Sequence, residues 1–262
     1  MRSYLFLPIV LTSVLIAINL QLSRAEVTKI TYRGWTDSYR ISNDSVEAII
    51  VAESGGRLMT YSINGYNIIY ENQNLDGRVL EDYQSSKFDP DGGRFDWGPE
   101  SQTRNIHDLS WMGAYTAEIT GKYSLKLTGP VDDLMGIQTI REFSLDSASS
   151  HLRITNTMVN VSETQTGWFY WSRTLVKKGG RIILPLNKNS RFPYGWGKYI
   201  WGENKHINFI NPEDDQLTIQ ENNLIYNAIS GSGIKIGTDS DEELMAYGTD
   251  GHLFGKRYDH FP

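Results

Sequence analysis

The feature that most constrains the fold of this chain is an alternation of apolar and polar residues with a period of two. Leu125 and Leu127 alternate with polar neighbours, and Ile182 and Leu184 follow the same pattern. Successive side chains of a strand point to opposite faces, so this alternation predicts strands with one buried face. Turn-forming residues interrupt it at intervals of about ten residues, as in antiparallel sheets. The sequence therefore predicts an all-β fold of large antiparallel sheets, with about fifteen strands and without an amphipathic helix.

The first 25 residues have the features of an export signal. Arg2 gives a short positive region, residues 4–22 are almost wholly apolar, and residues 23–25 form a small-x-small cleavage pattern. A retained membrane anchor is the alternative, because the apolar run approaches the length of a short spanning helix. We expect cleavage after Ala25, which would leave residues 26–262 as one domain without a stable membrane span, in a bacterial periplasm or outside the cell.

Composition narrows the classes of function. The chain has 262 residues and no Cys, so disulfides cannot stabilise it and a sizeable hydrophobic core must do so. A net charge of −6 and a pI near 5.4 argue against a nucleic-acid partner, since no general basic field would hold phosphates.

Residues 167–199 combine Trp, Tyr, Phe and Arg side chains and contain no Asp or Glu. Aromatic faces stack on the C–H groups of a sugar ring, and guanidinium groups donate to its hydroxyls. Trp171 and Arg173 are two residues apart, so they would share one face of a strand. Arg191 and Tyr194 lie in a predicted loop. The segment predicts an aromatic-lined, polar binding cleft; the alternative is that the aromatic residues belong to the core.

Residues 71–112 form a second unusual segment, which is long, polar and rich in Asp, Gly and Trp. Loops of this size in compact domains tend to carry function. Arg94 and Glu100 flank Trp97, and either bind substrate or form an ion pair that fixes the loop. His107 is a further candidate for a site. We expect Arg94, Trp97, His107, Arg173 and Arg191 to converge on one concave face.

Two acidic groups could be taken for calcium ligands, but neither has the spacing of an EF-hand loop. We expect them to lie in solvated turns, and we expect neither a metal nor another cofactor. The two groups are Asp89, Asp91 and Asp96, and Asp239, Asp241 and Glu242.

Several motifs resemble those of the galactose-mutarotase-like (aldose 1-epimerase-like) superfamily, in an uncharacterised branch of exported bacterial proteins. The resemblance extends from about Val46 to Arg257, and it implies a β-supersandwich with a sugar-binding concave face. The motifs are the hairpin GGRLMTYSINGYNIIY at residues 55–70, the loop DGGRFDWGPE at 91–100, and WSRTLV, GGR and PLN at 171–176, 179–181 and 185–187.

The resemblance also implies a chemistry. Active aldose 1-epimerases pair a histidine general acid with a glutamate general base near the C-terminus, because a proton must move at the ring oxygen and at the anomeric hydroxyl. His107 is the candidate general acid, and the general base is unknown. The sequence stops at Pro262, before the strand expected to carry the glutamate, so we expect the C-terminal strands to be missing.

The predicted function is recognition of a sugar or oligosaccharide, with possible proton transfer at the sugar as in an aldose 1-epimerase, an isomerase. The alternative is a non-catalytic carbohydrate-binding protein of the cell envelope. The candidate substrate-binding residues are Arg94, Trp97, Glu100, Trp171, Arg173, Arg191 and Tyr194.

Overall fold

The computed structural model describes residues 26–199, 207–208, 215–228 and 235–259. The predicted export signal, residues 1–25, lies outside these ranges. In the described part of the chain no helix is long and apolar enough to cross a membrane.

Nineteen strands form within the described ranges. They are β1 (Val27–Tyr32), β2 (Trp35–Ser42), β3 (Val46–Val51), β4 (Arg57–Ile63), β5 (Tyr66–Asn67), β6 (Gly93–Gly98), β7 (Thr116–Gly121), β8 (Ser124–Asp132), β9 (Ile137–Leu145), β10 (Leu152–Asn160), β11 (Phe169–Thr174), β12 (Arg181–Pro185), β13 (Trp196–Tyr199), β14 (Ile207–Asn208), β15 (Leu217–Gln220), β16 (Asn223–Asn227), β17 (Lys235–Thr238), β18 (Leu244–Thr249) and β19 (His252–Arg257).

The described helices all lie between β5 and β7, in the long polar segment. They are a 3-10 helix (Gln73–Leu75), α1 (Leu80–Ser85), α2 (Glu100–Thr103) and α3 (Asp108–Met112). The sequence did not predict them, because helices of four to six residues are too short to show a helical period.

The strands form four sheets in which neighbours pair antiparallel. The seven-stranded sheet has the order β1-β2-β3-β4-β6-β11, with β5 on β4, and the four-stranded sheet has the order β10-β9-β8-β7. The five-stranded sheet runs β15-β16-β12-β18-β19, and the three-stranded sheet runs β14-β13-β17. The predicted antiparallel all-β fold is confirmed.

The main core lies between the seven-stranded and four-stranded sheets. Ile41, Ile50 and Phe95 from the first sheet and Leu127 and Phe143 from the second are buried in one cluster. The alternation read from the sequence is therefore an alternation between this core and the opposite face of each sheet, as in other β-sandwiches.

Smaller clusters connect the C-terminal strands to this sandwich. Leu186, Trp196 and Leu224 form a second core. Ile69 and Tyr247 belong to a third, which joins β18 and β19 to the segment after β5. β11 is the edge strand of the seven-stranded sheet. One of its faces packs on the main core, and β19 of the C-terminal strands contacts it.

Candidate functional site

The candidate site is built on the pairing of β6 with β11. Arg94 lies directly opposite Arg173, and Asp96 lies directly opposite Trp171. Residues opposite each other in an antiparallel pair share a face, as do residues two apart on one strand. These four side chains therefore project from one face of the sheet, which we call the arginine face.

Trp97 projects from the other face. It is 1% exposed, and its ring lies 5.0 Å from those of Phe95 and Tyr170 in the main core. The expectation that Trp97 converges with Arg94 is wrong. The two residues are three positions apart on one strand, and side chains an odd number of positions apart point to opposite faces. We do not include Trp97 in the site.

A network of charges occupies the arginine face. Nη1 of Arg173 donates to Oδ2 of Asp96 at 3.0 Å, and Nε of Arg94 donates to Oδ1 of the same carboxylate at 3.4 Å. Asp89 accepts from Nη2 of Arg94, and its carboxylate lies 3.6 Å from Nη2 of Arg173. Two cations and two anions balance, and Arg94 and Asp96 are buried.

The expectation that the acidic groups lie in solvated turns is wrong for Asp91 and Asp96. Asp96 is buried between two arginines, and Asp91 is 1% exposed and bonded to Arg57 at 2.9 Å. Asp239 accepts from the hydroxyl of Ser190. A signal for Asp96 was present in the sequence: it follows Arg94 by two residues on a strand. Among the described residues, no group of three or more His, Cys, Asp or Glu side chains is placed to hold a metal ion.

His107 and Trp111 border Arg94. The Arg94 guanidinium lies 5.0 Å from the Trp111 ring, and the His107 ring lies 4.8 Å from it. Burial lowers the pKa of His107 below its ordinary value of 6.5, and nearby carboxylates, chiefly Asp108 and then Asp96, oppose this effect without cancelling it. The imidazole is therefore neutral at pH 7 and offers one N–H donor and one acceptor.

Three nitrogens in this region are buried without a hydrogen-bond partner among the described residues. They are Nη1 of Arg94, Nδ1 of His107 and Nε1 of Trp111. Buried polar atoms are nearly always paired, and each unpaired one costs about 1–3 kcal/mol. All three belong to Trp111 or to a side chain in contact with its ring.

Trp171 supplies the aromatic surface of the arginine face. Its half-buried ring lies 5.6 Å from the Arg173 guanidinium and 4.6 Å from Nζ of Lys235 on β17. Phe169, two residues earlier on the same face, is 56% exposed. The predicted pairing of an aromatic ring with a guanidinium donor on one strand face is therefore present.

The other predicted residues lie apart from this group. Glu100 is exposed at the start of α2, and the partners of Arg94 are aspartates. The ion pair between Arg94 and Glu100, which was the alternative to substrate binding, is therefore not formed. Arg191 and Tyr194 are exposed between β12 and β13. In the described ranges no hydrogen bond, ion pair or ring contact joins either of them to the arginine face. The structure groups Arg94, His107, Trp171 and Arg173 and adds Asp89, Asp96 and Trp111, which the sequence reasoning missed.

Comparison with known proteins gives one similarity in fold. No protein-family model and no curated protein matches the chain. A solved structure described as a galactose mutarotase-like protein, from Clostridium acetobutylicum, is similar at a TM-score of 0.45 and 12% sequence identity. The similarity covers 69% of this chain and 62% of that one, so the chain spans less than two thirds of that protein's length.

Proposed function

We propose that the protein binds a sugar on the arginine face. The observation that carries the proposal is the set of three unpaired buried nitrogens, on Arg94, His107 and Trp111, beside a paired Arg–Asp network. Sugar hydroxyls both donate and accept hydrogen bonds, so they suit a surface that offers guanidinium donors, a carboxylate acceptor and an imidazole together.

The aromatic side chains of the same face suit the rest of a sugar. Trp171 and Phe169 lie two residues apart on β11, and each exposes part of its ring. Such rings supply apolar contact for the C–H face of a pyranose. Because Arg94 and Arg173 are already balanced by Asp89 and Asp96, a neutral sugar fits better than an acidic one.

Rigid placement strengthens this proposal. Arg94 is 3% exposed and is held by two carboxylates and by stacking on Trp111. Its donors are therefore oriented before a ligand arrives, which reduces the entropy lost on binding. Arg173 is more exposed, at 32% of its side chain, and provides the accessible side of the network.

The second candidate is proton transfer at the anomeric centre, with His107 as the general acid. The unpaired Nδ1 of its buried imidazole favours this candidate, since a catalytic group needs a ring nitrogen that the protein leaves for the substrate. Both oxygens of Asp96 already accept from arginines, so Asp96 is a positioning group and the general base has no assigned residue.

Calorimetric titration with a panel of neutral and acidic sugars tests the binding proposal. We expect a neutral sugar to bind, and Arg173→Ala to weaken it about tenfold, because a charge-assisted hydrogen bond is lost. Arg191→Ala is the matched control and should bind as the unmodified protein does. Absence of binding across the panel, or equal affinity of Arg173→Ala, would overturn the proposal.

The catalytic candidate needs a separate measurement. The protein should accelerate the interconversion of the anomers of a sugar that it binds, as followed by NMR. This acceleration should be lost in His107→Gln. Acceleration that persists in His107→Gln would exclude His107 as the acid. Binding without acceleration leaves the non-catalytic carbohydrate-binding protein as the function.

We further propose that the protein is exported, on the basis of residues 1–25. Fractionation of bacteria that express the full reading frame should place the protein outside the cytoplasm. Replacement of Leu11 and Leu15 by Arg should retain it inside.

A further inference from the structure

A second polar cluster lies on the opposite face of β11, around Lys256 of β19. Nζ of Lys256 donates to the hydroxyl of Ser172 at 2.9 Å, to the hydroxyl of Thr174 at 3.3 Å and to the carbonyl of Ser172 at 3.2 Å. Ser172 and Thr174 alternate with Trp171 and Arg173, so they project away from the arginine face. Lys256 is itself half-buried.

Arg141 of β9 belongs to the same cluster. It is 3% exposed and lies over the ring of Phe95 at 4.7 Å, and Phe95 is the cross-strand partner of Ser172. Its Nε donates to Asn156 at 3.0 Å, and its Nη1 donates to the carbonyl of Gly56. In the described part of the chain its Nη2 has no hydrogen-bond acceptor.

The charges of this cluster are not balanced. Within the described ranges neither Arg141 nor Lys256 forms an ion pair with a carboxylate. The arginines of the opposite face, and buried Arg57, are all paired with aspartates. Buried charges without a counterion are unfavourable and rare. Arg141 therefore differs from Arg57 and Arg94, the other two buried arginines of the described residues, which are paired with aspartates.

Burial of this cluster lowers the pKa of both cations. Burial, and secondly the charge of Arg141, lower the pKa of Lys256 to about 8. Burial lowers the pKa of Arg141 to about 10. Burial therefore disfavours the charged form of both side chains, and a nearby negative charge would offset this cost.

Tyr170 adds a third donor. It lies on the same face of β11 as Ser172, and its hydroxyl is buried without a hydrogen-bond partner among the described residues. The Tyr170 ring lies 5.5 Å from the ring of Phe95, on which the Arg141 guanidinium also lies, so both groups contact the same side chain.

We propose that Lys256, Arg141 and Tyr170 form an oxyanion-binding site between β9, β11 and β19, separate from the sugar site. The ligand group is a carboxylate, sulfate or phosphate, whose oxygens accept from the guanidinium of Arg141 and the phenol of Tyr170. The ammonium of Lys256, whose three protons are donated to Ser172 and Thr174, contributes its positive charge. Arg141 is 3% exposed, whereas Lys256 and Tyr170 are half-buried, so an anion would approach from the side of Lys256 and Tyr170. The same protein would then bind a neutral sugar on one face of β11 and an acidic group on the other.

Thermal unfolding of the protein in sodium sulfate, sodium phosphate or sodium acetate, each against sodium chloride at equal ionic strength, tests this site. We expect a saturable rise in Tm with at least one of the three anions. A response to acetate identifies a carboxylate site, and a response to sulfate or phosphate alone identifies a tetrahedral oxyanion. An equal response to chloride at every concentration would overturn the proposal.

Variants assign the response to these residues. Lys256→Gln should weaken the apparent affinity about tenfold, because it removes one of the two positive charges of the site. Lys256→Arg should restore it. Lys126→Gln, on the outward face of β8, removes the same charge elsewhere and should leave it unchanged.

Tyr170→Phe keeps the ring in the core and removes only the hydroxyl. It should also weaken the anion response, and it tests the site even where Lys256→Gln does not fold. The proposal would be overturned if Tyr170→Phe kept the full anion response and Lys256→Gln also kept it. It would equally be overturned if Tyr170→Phe kept the full response and Lys256→Gln did not fold. Loss of sugar binding on the arginine face has no bearing on this result, since Arg173→Ala should retain the full anion response.

Discussion

Arg94 and Arg173 face each other across β6 and β11, and the Asp96 carboxylate accepts a hydrogen bond from each of them. Like charges opposite each other in a sheet normally destabilise the pairing. Here the carboxylate between them turns a repulsive pair into a fixed array of donors. The position of Asp96, two residues after Arg94 and opposite Trp171, is what makes the arginine face possible.

Replacing Asp96 should therefore destabilise the fold. Asp96→Asn removes the shared negative charge and leaves Arg94, which is buried, with only the exposed Asp89 as a counterion. We expect a loss of about 3 kcal/mol, as when one partner of a buried ion pair is removed. Urea denaturation measures it.

Asp89→Asn is the matched control for this loss. The Asp89 side chain is 63% exposed, so its contact with Arg94 is screened by water and should contribute less than about 1 kcal/mol. Equal losses in the two variants would show that Asp96 is not the centre of the network.

Substitution of Trp171 by Ala should affect sugar binding, whereas substitution of Trp97 by Ala should affect stability. Trp171→Ala should weaken sugar binding in calorimetry while it leaves the unfolding midpoint nearly unchanged, because Trp171 is only half-buried on the arginine face. Trp97→Ala should cost about 3–5 kcal/mol of stability, because it opens a cavity between the two sheets. A stable Trp97→Ala variant with impaired sugar binding would instead place Trp97 in the site.

Burial of His107 predicts a pH dependence of stability. The pKa of His107 in the folded protein is lower than its ordinary value of 6.5, so the unfolded chain binds the proton first as the pH falls. The associated stability is fully present above pH 6.5 and is lost as the pH falls from there to the lower pKa of the folded state.

Urea denaturation between pH 5 and pH 8 measures this effect. In His107→Asn the decrease of stability below pH 6.5 should become shallower, whereas in His151→Asn, a change at an exposed position, it should not. An unaltered profile in His107→Asn would show that the imidazole is not desolvated by folding.

Gly55 fixes the position of Trp111. A Cβ at Gly55 would lie 2.1 Å from the carbonyl oxygen of Trp111, and Gly55 has a φ of +72°. Gly251 has a similar φ of +75° but nothing within 4 Å, so it is the control for backbone strain alone. Gly251→Ala should cost about 1 kcal/mol, and Gly55→Ala about 1–3 kcal/mol more. Equal losses in thermal unfolding would contradict the contact.

The amino-acid sequence by itself determined the fold class and part of the site. The period of two places every second side chain on one face, so the alternation around Leu125 and Leu127 was sufficient to predict buried strands in an antiparallel sheet. The same local geometry predicted that Trp171 and Arg173 share a face, and the pairing of β11 with β6 confirms it.

Only the tertiary structure decided which face of β6 packs on the core and which forms the arginine face. Nothing local shows whether Arg94 or Trp97 points into the core, because that depends on which side of β6 the four-stranded sheet covers. The registers of β6 against β11 and the packing of β19 beside Ser172 join residues far apart in the chain. Asp96 between two arginines and Lys256 beside Arg141 are products of these long-range contacts, so a sequence pattern that extends over a few residues could not specify them.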